Sequence, residues 1–125
     1  ARYAELLAGI PGLQTVAVRP DRNSVFGQYT VLVERRDEVA AALKAAGVPT
    51  AIHYPRPMHH QAAYAAYCCP DCCPRSVDVA ARVLSLPMSA DLSEADQDLV
   101  VDALAATLRG LADDAAAPVA GRAGA

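Results

Sequence analysis

At 125 residues and 54% hydrophobic content, the chain is long enough for one compact domain with a modest core. Large core formers are scarce, with no Trp, one Phe and five Tyr, so docking onto another domain or subunit is expected. The net charge of −3 is spread without a basic stripe, no apolar run approaches the roughly 18 residues of a membrane span, and no charged start precedes an apolar core; nucleic-acid, membrane and secretory readings are therefore disfavoured.

Arg2 to Ala8 reads as the last turns of a longer helix stopped by Gly9 and Pro11, so the chain is expected to be part of a larger protein. Thr15 to Val18 predicts a short strand, followed by the turn residues Asp21-Arg22-Asn23. Val25 to Val33 alternates, with Val25, Tyr29, Val31 and Val33 on one face and Phe26, Gln28, Thr30 and Leu32 on the other. Arg36 to Ala46 predicts a helix with Val39, Leu43 and Ala46 on its apolar stripe and Gly47 as its left-handed terminator. Thr50 to Tyr54 predicts another strand, released by Pro55 and Pro57. Gln61 to Tyr67 predicts a short helix, and Ser76 caps another that runs to about Val83.

Leu84 to Leu86 predicts a brief strand stopped by Pro87. Ser93, with Asp96 three residues on, caps a last helix whose stripe is Leu99, Val100, Ala103, Leu104 and Leu108 and which Gly110 ends. Together these elements predict an α/β fold over residues 1–110, one small mixed sheet with helices packed on it. Residues 111–125, rich in Ala, Gly and Asp, are expected to form a flexible tail.

The chemistry-bearing residues concentrate in Val48 to Gln61, which holds all three histidines within eight positions. Ile52 should face the core, leaving His53 and Tyr54 at a strand end, where a rigid element presents side chains to solvent. Imidazole can donate to phosphate oxygens, and a phenol offers both a ring to stack on and a hydroxyl. The structural alternative has His53 capping a carbonyl and Tyr54 packing in the core. No acid lies between Glu38 and Asp71, so a histidine metal site lacks local ligands and none is expected. All four cysteines fall in Cys68-Cys69-Pro70-Asp71-Cys72-Cys73. By itself this cluster is compatible with zinc, a redox dithiol or vicinal disulfide chemistry. Structural zinc usually draws on two separated knuckles and only one is present, so reduced thiols without a role are the plain reading.

Six blocks occur in order: Ser24 to Val31, Arg36-Asp37, Gly47 to Pro55, Pro57 to Tyr64, Cys73 to Ser76 and Val83 to Met88. In this order and spacing they resemble the C-terminal small domain of the DegT/DnrJ/StrS family of sugar aminotransferases, over nearly all of Arg2 to Leu108. The resemblance implies a fold-type I, pyridoxal 5′-phosphate-dependent enzyme, cytoplasmic and homodimeric. It would move an amino group from glutamate to a keto-sugar nucleotide, and the form of the first block points to UDP-linked 3-keto sugars for bacterial surface polysaccharide. It also implies that His53 and Tyr54 contact the nucleotide portion of the substrate, with His59 and Gln61 as further matching positions that either bind substrate or fix the turn by bonding its free carbonyls. Cys68, Cys69, Cys72 and Val77 depart from the family pattern. The one lysine, Lys44, lies near a helix end with no motif around it and reads as a surface residue. The cofactor's lysine, its acidic partner and its phosphate loop belong, in the family, to the large N-terminal domain. The isolated chain is therefore expected to have no transaminase activity. The alternative is a standalone non-catalytic module, derived from that domain, that binds a nucleotide sugar or a partner.

Overall fold

The computed structural model describes residues 2–116. In chain order the elements are α1 (Arg2–Leu6), β1 (Leu13–Thr15), β2 (Tyr29–Val33), α2 (Arg36–Ala45), a 3₁₀ turn (Met58–His60), α3 (Pro74–Arg82), β3 (Val83–Leu86) and α4 (Glu94–Ala116). The three strands form one sheet in the order β1-β2-β3. Leu13 faces Val33 across the first pair, and Tyr29 faces Leu86 across the second.

Both pairs are antiparallel, so the sheet is not the mixed one expected. Parallel neighbours need a crossover that returns the chain to the same end of the sheet. Here α2, the proline turn and α3 intervene between β2 and β3 and bring the chain back running the other way.

Alternation in β2 buries Tyr29, Val31 and Val33 on one face, as the pattern predicts. Val25 does not join them and is 98% exposed. Phe26 takes a positive φ of 44°, and its amide is held by the Ser24 hydroxyl at 3.1 Å, so extended backbone cannot begin until after it. β1 lies two residues earlier than expected because Gly12, at φ 77°, turns the chain directly into Leu13 opposite Val33; Val16 and Val18 remain exposed.

The strand expected over Thr50 to Tyr54 is a single bridge. Ala51 exchanges both backbone hydrogen bonds with Ser85, at 3.1 and 2.7 Å. Pro49 before it has no amide proton, and Pro55 and Pro57 after it have none, so the ladder cannot extend far. Gln61 to Tyr67 forms successive turns instead of a helix, because every residue there after Gln61 is exposed and no apolar face is buried to hold one. α3 begins at Pro74 with Cys73 at the cap and no side-chain cap bond, so Ser76 lies inside the first turn. Proline's fixed φ and missing amide proton suit the first helical position.

α2 ends as its glycine predicts. Gly47 sits at φ 80°, its amide donates to the Lys44 carbonyl at 3.1 Å, and the Val48 amide donates to the Leu43 carbonyl at 2.9 Å. This is a Schellman closure, with Leu43 and Val48 both buried beside it. Val39 and Leu43 are buried as expected, but Ala46 is exposed.

At the start of α4, the Ser93 hydroxyl accepts from the Asp96 amide at 3.1 Å and donates to its carboxylate at 2.6 Å. Val100, Val101, Leu104 and Leu108 form its buried stripe; Leu99 is exposed. The helix does not stop at Gly110 but runs to Ala116, since Leu111 packs on the core and its carbonyl accepts from Arg35 Nη1 at 3.1 Å. The remainder of the expected tail, residues 117–125, lies outside the described residues.

Candidate functional site

The site begins at the Ala51–Ser85 bridge, which anchors the histidine turn to the edge of β3. Ile52 packs against the core, as strand alternation requires. His53 follows, half-buried, with Nδ1 3.1 Å from the hydroxyl of Ser85. That hydroxyl is in turn 3.0 Å from the Thr30 hydroxyl on β2. Ser85 is only 4% exposed, so the imidazole is oriented by a buried hydroxyl of the sheet's outer strand rather than by a carbonyl.

Tyr54 is 71% exposed and does not pack in the core. Its ring meets that of His53 edge-on, with centroids 5.8 Å apart, and the peptide between the two residues is cis. Pro57 then leads into the 3₁₀ turn, which buries His59 and leaves its Nε2 without a hydrogen-bond partner. A buried polar atom without a partner is costly, and a ligand group or water would satisfy it. The turn's own brace is His60, whose Nε2 lies 2.8 Å from the Pro70 carbonyl. Gln61 is half-buried and its side chain makes no bond to the turn.

These residues converge. His53, Tyr54, His59 and Gln61 all line one cavity of about 660 Å³, closed on its far side by α3. Arg56, Tyr64 and Arg75 line it too, and they escaped the sequence reading. The lining holds two arginines and two histidines but no carboxylate, in a chain whose net charge is −3. Neither arginine forms an ion pair with any described carboxylate, whereas Arg82 nearby is paired with both Glu34 and Asp78. Such a cavity favours an anion, with aromatic rings at its edge for stacking. One local signal marks Arg75: a cation in the first turn of a helix opposes the helix dipole, an arrangement that helices otherwise avoid. His53 also borders a second hollow of about 300 Å³ shared with Gln28, Thr50, Ser85 and Met88.

Residues 1–105 match the DegT/DnrJ/EryC1/StrS aminotransferase family. The chain belongs to that family. It is 40% identical over 105 residues to the dTDP-3-amino-3,4,6-trideoxy-α-D-glucose transaminase of Streptomyces venezuelae, covering 83% of this chain and 28% of that protein. It is 41% identical over 93 residues to the UDP-2-acetamido-2-deoxy-3-oxo-D-glucuronate aminotransferase of Pseudomonas aeruginosa, covering 74% of this chain and 25% of that protein. Among solved structures, S. venezuelae DesV in complex with a ketimine intermediate superposes with a TM-score of 0.81 at 39% identity, covering 84% of this chain and 29% of that one. The fold of this aminotransferase-family chain is thus the α/β small-domain fold of fold-type I sugar aminotransferases, and the chain spans between a quarter and three tenths of the relatives it matches.

The family implies pyridoxal phosphate, and the described residues do not fit that cofactor. Lys44 is exposed on α2 and borders a different hollow, with Pro49, Thr50 and Ile52, away from the His53 cavity. Among the described residues, none at the His53 cavity is a lysine that could carry the cofactor covalently.

Proposed function

We propose that this chain is the small-domain part, residues 1–110, of a pyridoxal phosphate-dependent nucleotide-sugar aminotransferase. The whole enzyme moves an amino group from glutamate to a keto-sugar nucleotide, with a UDP-linked 3-keto sugar as the preferred substrate. It works as a homodimer in the reducing cytoplasm, where free thiols persist.

The observation that carries this reading is the acid-free cavity in which His53 and Tyr54 meet Arg56 and Arg75. A diphosphate is the anion that two guanidinium groups and an imidazole suit, and Tyr54 offers an open face to a base or sugar. His59 supplies an unpartnered polar nitrogen in the wall. Tyr54, Met58 and Tyr67 expose large apolar surfaces around this region, which supports a covering domain or second subunit. The amine-transfer chemistry would come from the cofactor, held outside the residues described. This chain's residues bind and orient the nucleotide end of the substrate and carry no proton at the reacting carbon.

Kinetics of the enzyme carrying this chain test the reading. His53→Ala and Tyr54→Ala are expected to raise KM for the nucleotide sugar about tenfold or more, with the glutamate half-reaction unchanged. Loss confined to the glutamate half-reaction would overturn it. Arg56→Gln and Arg75→Gln are expected to weaken UDP binding and flatten its salt dependence, since both groups are exposed. Purified chain alone, given the cofactor and glutamate, is expected to show no turnover.

A further inference from the structure

Nothing in the nucleotide-sugar reading uses a thiol, yet Cys68 to Cys73 holds all four cysteines of the chain. All four are free and exposed. Cys69-Pro70-Asp71-Cys72 is a tight turn, with proline at its second position and the Cys72 amide donating to the Cys69 carbonyl at 3.4 Å. Such a turn holds its end Cα atoms within about 7 Å. A disulfide spans roughly 4.4–6.8 Å between Cα atoms.

The Cys72 side chain folds back over the turn, its thiol donating to the Cys69 carbonyl at 2.9 Å. A side-chain hydrogen bond with Cys72 pushes the Cys69 thiol above its ordinary pKa. The Cys73 thiol is 3.9 Å from that of Cys72, but adjacent cysteines close only a small, distorted ring. His60 braces the turn at the Pro70 carbonyl. Cys68, Cys72 and Cys73 stand in the wall of the His53 cavity.

We propose that Cys69 and Cys72 are a redox dithiol, closed to a disulfide by exchange with a low-molecular-weight dialkyl disulfide, and that closure reshapes the cavity wall. The Cys72 thiolate attacks one sulfur of the small disulfide; a bond forms to Cys72, the small S–S bond breaks and one small thiolate leaves. The Cys69 thiolate then attacks the Cys72 sulfur, forming the protein disulfide and expelling the second small thiolate. The two cysteine protons end on the two small thiols, so two cysteines are oxidised and one small disulfide is reduced. Closure takes the Cys72 thiol out of its bond to the Cys69 carbonyl and shifts the wall it forms. The effect on ligand rests on the reading of this cavity as a nucleotide-sugar site.

The test uses the whole chain with oxidised glutathione as the small disulfide. Reduced protein is expected to show all four thiols to a colorimetric reagent. Treated protein should lose a pair of them, weigh less by the thiol hydrogens and yield a Cys69–Cys72 cross-linked peptide, all reversed by dithiothreitol. Cys69→Ser and Cys72→Ser should each abolish that peptide, whereas Cys68→Ser should leave it. Thiols that stay free, or a cross-link through another pair, overturn the proposal. Oxidised and reduced protein are then titrated with UDP. A change in Kd of about threefold or more is expected, and equal affinities overturn the coupling. A cross-link in protein that binds no UDP in either state overturns the nucleotide reading and leaves the dithiol standing.

Discussion

At the scale of single residues, the site depends on a hydroxyl that local sequence does not mark. The candidate pair His53 and Tyr54 stands out in the sequence because the two are contiguous, followed by prolines and chemically conspicuous. Ser85 lies 32 positions from His53 and 55 from Thr30, and only the sheet brings the three together. Ser85→Ala is expected to cost about 1 kcal/mol, the usual net worth of a buried hydrogen bond. It should also weaken UDP binding, by less than His53→Ala does, because the imidazole loses its orientation but not its nitrogens. Thermal melting and calorimetric titration of the variant check both halves. A lower melting temperature with unchanged affinity would make Ser85 a structural residue only. The same dependence on distant partners explains why Arg56, Tyr64 and Arg75 were missed. Each is an ordinary surface residue until α3 closes the cavity.

Among the elements, the helix ends at Gly47 and Ser93 were readable from local chemistry and β2 from its alternation, whereas the Thr50 to Tyr54 strand and the Ser76 cap were not borne out. Gly47 after α2 and Ser93 before α4 satisfy backbone groups within one turn of themselves, so their motifs can be recognised in sequence. The packing of α3 is set otherwise. Arg36, only 7% exposed at the start of α2, sends Nη1 to the carbonyls of Ala80 and Val83, each at 3.2 Å, while Nε bonds Asp37 at 2.6 Å. One guanidinium thereby satisfies backbone acceptors where α3 becomes β3 and fixes the helix that carries Arg75. Arg36→Met keeps the stem's volume and removes those donors. The expected loss is about 2–3 kcal/mol in urea unfolding, since charged hydrogen bonds are broken and buried carbonyls orphaned. Arg36→Lys should recover little, because an ammonium lacks the planar fork. A Met variant as stable as the parent would show that the clamp contributes nothing.

For the molecule as a whole, the thin core predicted from composition is concentrated where α1, α2 and α4 pack around β2 and β3. Tyr3 closes one end of it. Its hydroxyl donates to the Pro87 carbonyl at 2.9 Å, and its ring lies 5.0 Å from that of Tyr29. Burial raises the Tyr3 phenol above the ordinary pKa of 10.0, with a smaller push from Tyr29, and burial likewise raises Tyr29. Because the folded values exceed the unfolded one, this stability is fully present below pH 10 and is lost as pH rises through the folded values. Melting followed by circular dichroism should therefore show these phenols contributing no decline near neutrality and a decline above about pH 10. Tyr3→Phe, less stable at neutral pH by about 1 kcal/mol, should show a shallower alkaline decline. An identical alkaline slope in both proteins would rule out Tyr3 as its source.

By itself the sequence determined the fold class, the family resemblance, the Gly47 and Ser93 helix ends and the place of the histidine turn, because periodicity, turn residues and short motifs act over a few positions. The tertiary structure alone decided that the sheet is antiparallel, that Thr50 to Tyr54 shrinks to one bridge, that α4 runs past Gly110 and that two arginines share a cavity with His53. Each of those outcomes depends on groups that become neighbours only after the chain has closed on itself. Local sequence does not encode the distances on which hydrogen bonds and burial depend.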